Sequence, residues 1–142
     1  MRDYTKIVAW KKADDLTVGV YEATRSFPKD EIYSLTSQLR RAAYSVPANI
    51  VEGSSRESLK DYLHFLHIAR GSLSETRYFI HLAGRLGYLD IIQQRTLTEA
   101  SEETLRILAG LIRSVEKEAG VVSRTLARVT SFLALSCGMV LR

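Results

Sequence analysis

The sequence predicts an all-α protein, an antiparallel up-and-down four-helix bundle with a C-terminal extension. Apolar residues recur at three- and four-residue spacing through four long stretches. Two prolines and eight glycines leave few breaks in 142 residues, which favours long helices. No stretch of useful length alternates apolar and polar residues as a strand does. The chain suits one domain with its own core. Residues 1–119 are assigned to the bundle and 120–142 to the extension.

The first helix is expected from about Thr5 to Ser26, with Trp10, Ala13, Leu16 or Thr17, Val20, Thr24 and Phe27 in one row. Pro28 closes it, because the residue before a proline resists helical angles. Lys29 and Asp30 make the turn, and Asp30 and Glu31 suit the positive end of the helix that follows.

The second helix is read from Glu31 to Gly53. Ile32, Leu35, Leu39, Ala42, Ala43, Val46 and Ile50 form its core stripe. Another face carries a hydrogen-bonding row, Gln38, Arg41, Ser45, Asn49 and Glu52. Pro47 deletes one backbone hydrogen bond and is expected to bend the rod, turning the Asn49–Glu52 segment toward the third helix. Gly53 fits the left-handed position that ends a helix.

Ser54-x-x-Glu57 reads as a capping box for the third helix, expected from about Ser55 to Leu86. The short connection makes the second and third helices antiparallel neighbours. The third helix carries two apolar seams. One contains Leu59, Leu63, Leu66, Ala69, Leu73, Ile80 and Ala83. The other contains Phe65, Ile68, Ser72, Glu75, Phe79, Leu82 and Leu86. Two seams at a seven-residue repeat suit a helix buried on both sides, by its own bundle and by another subunit. Phe65, Ile68, Ser72, Phe79 and Leu82 are the expected oligomer interface. The alternative is one wide core stripe in a monomer.

Gly87, Tyr88 and Asp90 form the next turn. The fourth helix is expected from Asp90 to Glu118, with Leu97, Ala100, Thr104, Leu108, Leu111 and Val115 inward. Beyond it, Val122, Leu126, Val129 and Leu133 keep helical spacing. That segment is either a fifth helix on the bundle or a poorly ordered extension.

Two stretches carry a family resemblance: QLRRAAYSVPANIVEG, from Gln38 to Gly53, and IARGSLSE, from Ile68 to Glu75. Together they resemble the four-helix-bundle family of the bacterial 23S rRNA intervening-sequence proteins, over about Ile7 to Val115. The resemblance implies an antiparallel bundle that assembles into a ring-like homopentamer. The family's genes lie inside intervening sequences of 23S rRNA. The bundle is also similar to the accessory variability protein of diversity-generating retroelements, which binds a reverse transcriptase and nucleic acid. The family tends to end near Val115 to Glu118, so the extension departs from it.

Charge narrows the function classes. The net charge is +4, but residues 120–142 hold Arg124, Arg128 and Arg142 and no acid. Removing that +3 leaves about +1 for the bundle, so attraction to nucleic acid has to come from local clusters. Arg40, Arg41, Arg56, Lys60 and Arg70 are the candidate nucleic-acid-binding residues, since arginine holds phosphate bidentately. Gln38, Arg41, Asn49, Glu52 and Glu75 read as a structural polar network within or between subunits, in which Arg70 is expected to pair with Glu52 or Glu75. A ligand site is the alternative reading of the row.

Catalytic and metal readings are weaker. His64 and His67 share a face and Asp61 precedes His64 at bundle-metal spacing, but no other helix offers a matching histidine. Arg77 to His81 is one residue shorter than the R-x(4–6)-H signature of helical ribonucleases of the HEPN class. Cys137, the one cysteine, reads as an inert thiol and fits a reducing compartment. No phosphate loop, Rossmann glycine pattern or serine elbow occurs. The start, MRDYTKIVAWKKADD, has no apolar signal core, and no run reaches membrane-helix length. A cytoplasmic, non-enzymatic homo-oligomer is expected, without metal, cofactor or small-molecule substrate. Its partner is RNA, DNA or a nucleic-acid enzyme. A purely structural protein–protein adaptor is the alternative, and a ribonuclease the more distant one.

Overall fold

A computed structural model describes the backbone of residues 1–138 and the side chains of residues 1–120 and 122. Four helices account for most of it: α1 (Val8–Ala23), α2 (Leu35–Ser55), α3 (Leu59–Arg85) and α4 (Ile91–Gly138). Each helix packs on the next, and α4 also packs on α1, which closes the bundle. No strand occurs among the described residues.

The core comes from the expected stripes. Leu16 and Val20 of α1, Leu39, Val46 and Ile50 of α2, Leu66, Leu73 and Ile80 of α3, and Leu97 and Leu108 of α4 are all buried. Two threonines join them without an unpaired hydroxyl. Thr76 donates to the Ser72 carbonyl at 2.8 Å and Thr104 to that of Ala100 at 2.7 Å.

The second helix starts later than expected. Lys29–Glu31 form a 3-10 turn and α2 begins at Leu35. Ile32 therefore falls outside the helical register and is 48% exposed, not in the core. Glu31 caps α2 from outside it. Its carboxylate accepts from the Ser34 hydroxyl, from the Leu35 amide at 3.2 Å and from the Tyr88 hydroxyl at 3.0 Å. These bonds hold its carboxyl below the usual carboxylate range, the Ser34 bond contributing most. The bond to Glu31 in turn raises the Tyr88 phenol.

Helical conformation runs through Pro47 and past Gly53, to Ser55. Gly53 does not terminate α2. A Cβ there would lie 2.9 Å from Phe65 Cβ and 3.0 Å from Tyr62 Cδ2, so the glycine lets α3 approach. The expected Ser54–Glu57 capping box does not form. Ser54 Oγ donates back to the Val51 carbonyl at 2.7 Å, and Ser58 caps α3 by accepting from the Asp61 amide at 3.0 Å.

A capping box does occur at the start of α4. There the Gln93 amide donates to Asp90 Oδ1 at 2.7 Å, and the Asp90 amide to Gln93 Oε1 at 3.0 Å. Gly87, at φ +74°, ends α3. The Tyr88 amide reaches the Ala83 carbonyl at 2.9 Å and the Gly87 amide that of Gly84 at 3.1 Å, a Schellman pattern. Finally, α4 continues through residue 120 as one 48-residue helix, so the extension prolongs α4 and is not a separate fifth helix.

Candidate nucleic-acid interface

The polar row of α2 faces α3, and small side chains let the two helices meet. Ser45 Oγ and Ser72 Oγ are 2.9 Å apart. Asn49 Nδ2 donates to the Ser45 carbonyl at 2.8 Å and to Ser45 Oγ at 3.0 Å. One turn away, Arg41 Nη2 meets Glu75 Oε1 at 2.8 Å, with weaker contacts to Gln38 Oε1 at 3.3 and 3.4 Å. Glu52 is not in this group. It pairs with Arg56, whose guanidinium lies 4.9 Å from the Phe65 ring centre. The predicted network is thus two clusters bridging α2 and α3, plus a separate ion pair at their turn.

Arg70 is not the partner of Glu52 or Glu75, contrary to expectation. Arg41 and Arg56 hold those acids because they lie on the turns that face them, while Arg70 lies on an exposed face of α3. The Arg41–Glu75 side chains are 49% and 39% exposed, so the pair contributes at most about 1 kcal/mol.

The five candidate basic residues therefore divide. Arg41 and Arg56 are neutralised by carboxylates. Lys60 and Arg70 are exposed and make no ion pair among the described residues. Arg40 has no carboxylate partner either. Its Nε donates to Thr24 Oγ1 at 2.7 Å and its guanidinium lies 4.8 Å from the Tyr21 ring centre. Arg25 and Lys29, which are not among the five candidates, line the same recess as Arg40. Their separation from Arg40 in the chain hides them in the sequence. The available clue is that Arg25 and Lys29 flank the Pro28 turn.

The expected interface seam is only partly open. Phe79 and Leu82 pack against their own core. Ser72 is engaged by Ser45. Ile68 is 39% exposed, and Phe65 is half-buried under Arg56 and beside His64, ring centres 5.5 Å apart. His67 Nε2 lies 3.9 Å from Glu116, and Arg77 is paired with Glu102 at 3.4 Å. Among the described residues no group of three or more metal-ligating side chains converges, and no helix is long and apolar enough to cross a membrane.

The sequence pattern of the 23S rRNA-intervening sequence proteins matches residues 5–110. The chain belongs to this family. The matched region of this 23S rRNA-intervening sequence protein family member takes in α1 to α3 and the first part of α4, and so every candidate residue above. A solved structure of a protein of unknown function from the S23 ribosomal protein family of Bacteroides thetaiotaomicron is also similar. It has a TM-score of 0.69 at 24% identity, over 75% of this chain and 96% of that one. At that identity the likeness shows the fold. No curated protein matches the chain.

Proposed function

We propose that the protein is a non-enzymatic homo-oligomeric bundle, pentameric by its family resemblance, that binds nucleic acid through basic side chains on α2 and α3. RNA is the favoured class, because the family is described by its link to 23S rRNA intervening sequences. The observation that carries the reading is the division among the basic residues. Arg40, Lys60 and Arg70 keep their charge free of carboxylates among the described residues, so each is available to a phosphate. Repetition around a ring multiplies these contacts without raising the charge of one subunit.

Arg41 and Arg56 belong to the structural role instead, since binding phosphate would cost them their acids. The engagement of Arg77 by Glu102 argues against its use with His81 in phosphate cleavage. A protein–protein adaptor is the second reading, favoured by exposed Ile91, Ile92 and Leu86 around the α3–α4 turn, at 84%, 64% and 49%.

The test uses Lys60→Ala with Arg70→Ala, both on exposed positions. Binding of unrelated RNA sequences should weaken about equally. The slope of log affinity against log salt should fall by about one for each phosphate that the replaced side chains had neutralised. A parent protein with no salt-dependent binding to any RNA or DNA overturns the reading and leaves the adaptor.

A further inference from the structure

The recess beneath Arg40 lies at one end of the bundle, where α1 gives way to the Pro28 turn and α2 begins. It has a volume of about 600 Å³, within the range of small-molecule sites. Arg25, Lys29 and Arg40 line it and no carboxylate does. Three cations without an acid stand out in a bundle whose net charge is near zero.

Arg40 is held in place rather than left to solvent. Thr24, itself 3% exposed, accepts from its Nε at 2.7 Å, and the Tyr21 ring backs its guanidinium. That fixes the plane of the fork and leaves the terminal nitrogens without an acceptor among the described residues. Thr36 lines the same recess. It is 5% exposed, and its hydroxyl is buried with no hydrogen-bond partner among the described residues. Such an orphan is costly, and its burial keeps it from contact with the open recess.

The backbone adds to this. Glu31 takes the Leu35 amide and the Ser34 carbonyl that of Gln38. The amides of Thr36 and Ser37, in the first turn of the 21-residue α2, have no acceptor among the described residues. First-turn amides and the helix dipole together favour an anion; Glu31 supplies one at the Leu35 amide, and the Thr36 and Ser37 amides lie beyond it. Tyr44, 48% exposed, offers an aromatic face at the rim.

We infer that this recess binds the phosphomonoester of one nucleotide unit. The phosphate sits among Arg25, Lys29, Arg40 and the first turn of α2, with the base against Tyr44. Three cations match a monoester, which carries close to two charges near neutrality, better than a diester's one. The volume admits one nucleotide, so a strand enters by a phosphorylated end. The nucleic-acid reading bears only on the source of the ligand, a strand end or a free mononucleotide.

The test titrates the full-length protein with uridine monophosphate by calorimetry, and with oligouridylate decamers bearing a 5′-phosphate or a 5′-hydroxyl. Uridine monophosphate should bind. Arg25→Ala and Lys29→Ala, both at exposed positions, should each weaken it about tenfold, and Arg95→Ala, exposed on α4 and outside the recess, should leave it unchanged. A decamer that gains affinity from its 5′-phosphate and loses that gain to competing uridine monophosphate identifies the strand end as the source. Mononucleotide binding with no such gain identifies the free nucleotide. Failure of uridine monophosphate to bind, or equal binding by the Arg25 and Lys29 variants, overturns the site. Salt-dependent binding of both decamers in that case leaves the nucleic-acid reading standing without it.

Discussion

The hydroxyl of Thr17 on α1 donates to the Ala43 carbonyl on α2 across 3.0 Å. Ala43 is the residue four before Pro47, and a proline has no amide to offer that carbonyl. The neighbouring helix therefore supplies the donor that the proline removed. Thr17 also reaches its own helix, at the Ala13 carbonyl, 2.8 Å away, so its single proton is shared between two acceptors. This is how α2 passes through a buried proline without an orphaned carbonyl.

Thr17→Val should lower stability by about 1–3 kcal/mol, the cost of a buried acceptor left unpaired. Pro47→Ala returns an amide to the helix, so the same Thr17→Val change should cost less in that background. Urea unfolding of the two single variants and the double variant measures the coupling. Equal costs in both backgrounds would show that Thr17 does not serve the proline's carbonyl.

Two glycines should answer alanine with opposite signs. At Gly53 the new Cβ meets Phe65 and Tyr62 at 2.9 and 3.0 Å, which forces α2 and α3 apart. Overpacking of this kind costs about 1–3 kcal/mol, more than the helix propensity gained. At Gly71 a Cβ meets nothing within 4 Å, so Gly71→Ala should stabilise by up to about 1 kcal/mol. Thermal unfolding reads both, and a stabilised Gly53→Ala protein would refute the close approach.

Acid should loosen the start of α2. Glu31's carboxyl is depressed by the Ser34, Leu35 and Tyr88 bonds. A depressed folded value means that the stabilisation is present above the unfolded pKa, near 4.3, and is lost as pH falls through the folded one. Tyr88 runs the other way. Its phenol is raised by Glu31, so its contribution holds below about 10 and is lost as pH rises further. Glu31→Gln should flatten the acid limb of stability against pH, and Tyr88→Phe the alkaline limb. Unchanged limbs would mean that the bonds do not persist in solution.

Assembly separates two seam residues that look alike in the sequence. Phe79 packs on its own core, so Phe79→Glu should unfold the bundle. Ile68 is exposed, and Ile68→Glu should dissociate an oligomer while helicity remains. Native mass spectrometry with circular dichroism distinguishes the outcomes. A parent protein that is monomeric at micromolar concentration removes the ring.

What the amino-acid order determined by itself was the set of helices and the side each turns inward. Leu39, Val46 and Ile50, or Leu66, Leu73 and Ile80, are placed by a 3.6-residue period, and periodicity is local. The all-helical class and the family were legible for that reason. Contacts between helices were not, because they depend on how far one rod slides and turns against the next. Arg70 read as the partner of Glu52 or Glu75, and only the packing of α2 on α3 gave Glu75 to Arg41. Gly53 read as a helix end, and the approach of Tyr62 and Phe65 made it a point of close packing instead. Arg25 and Lys29 lie on the short turns either side of Pro28, Thr36 and Arg40 on α2, and they became one recess only when the chain folded back on itself at Pro28.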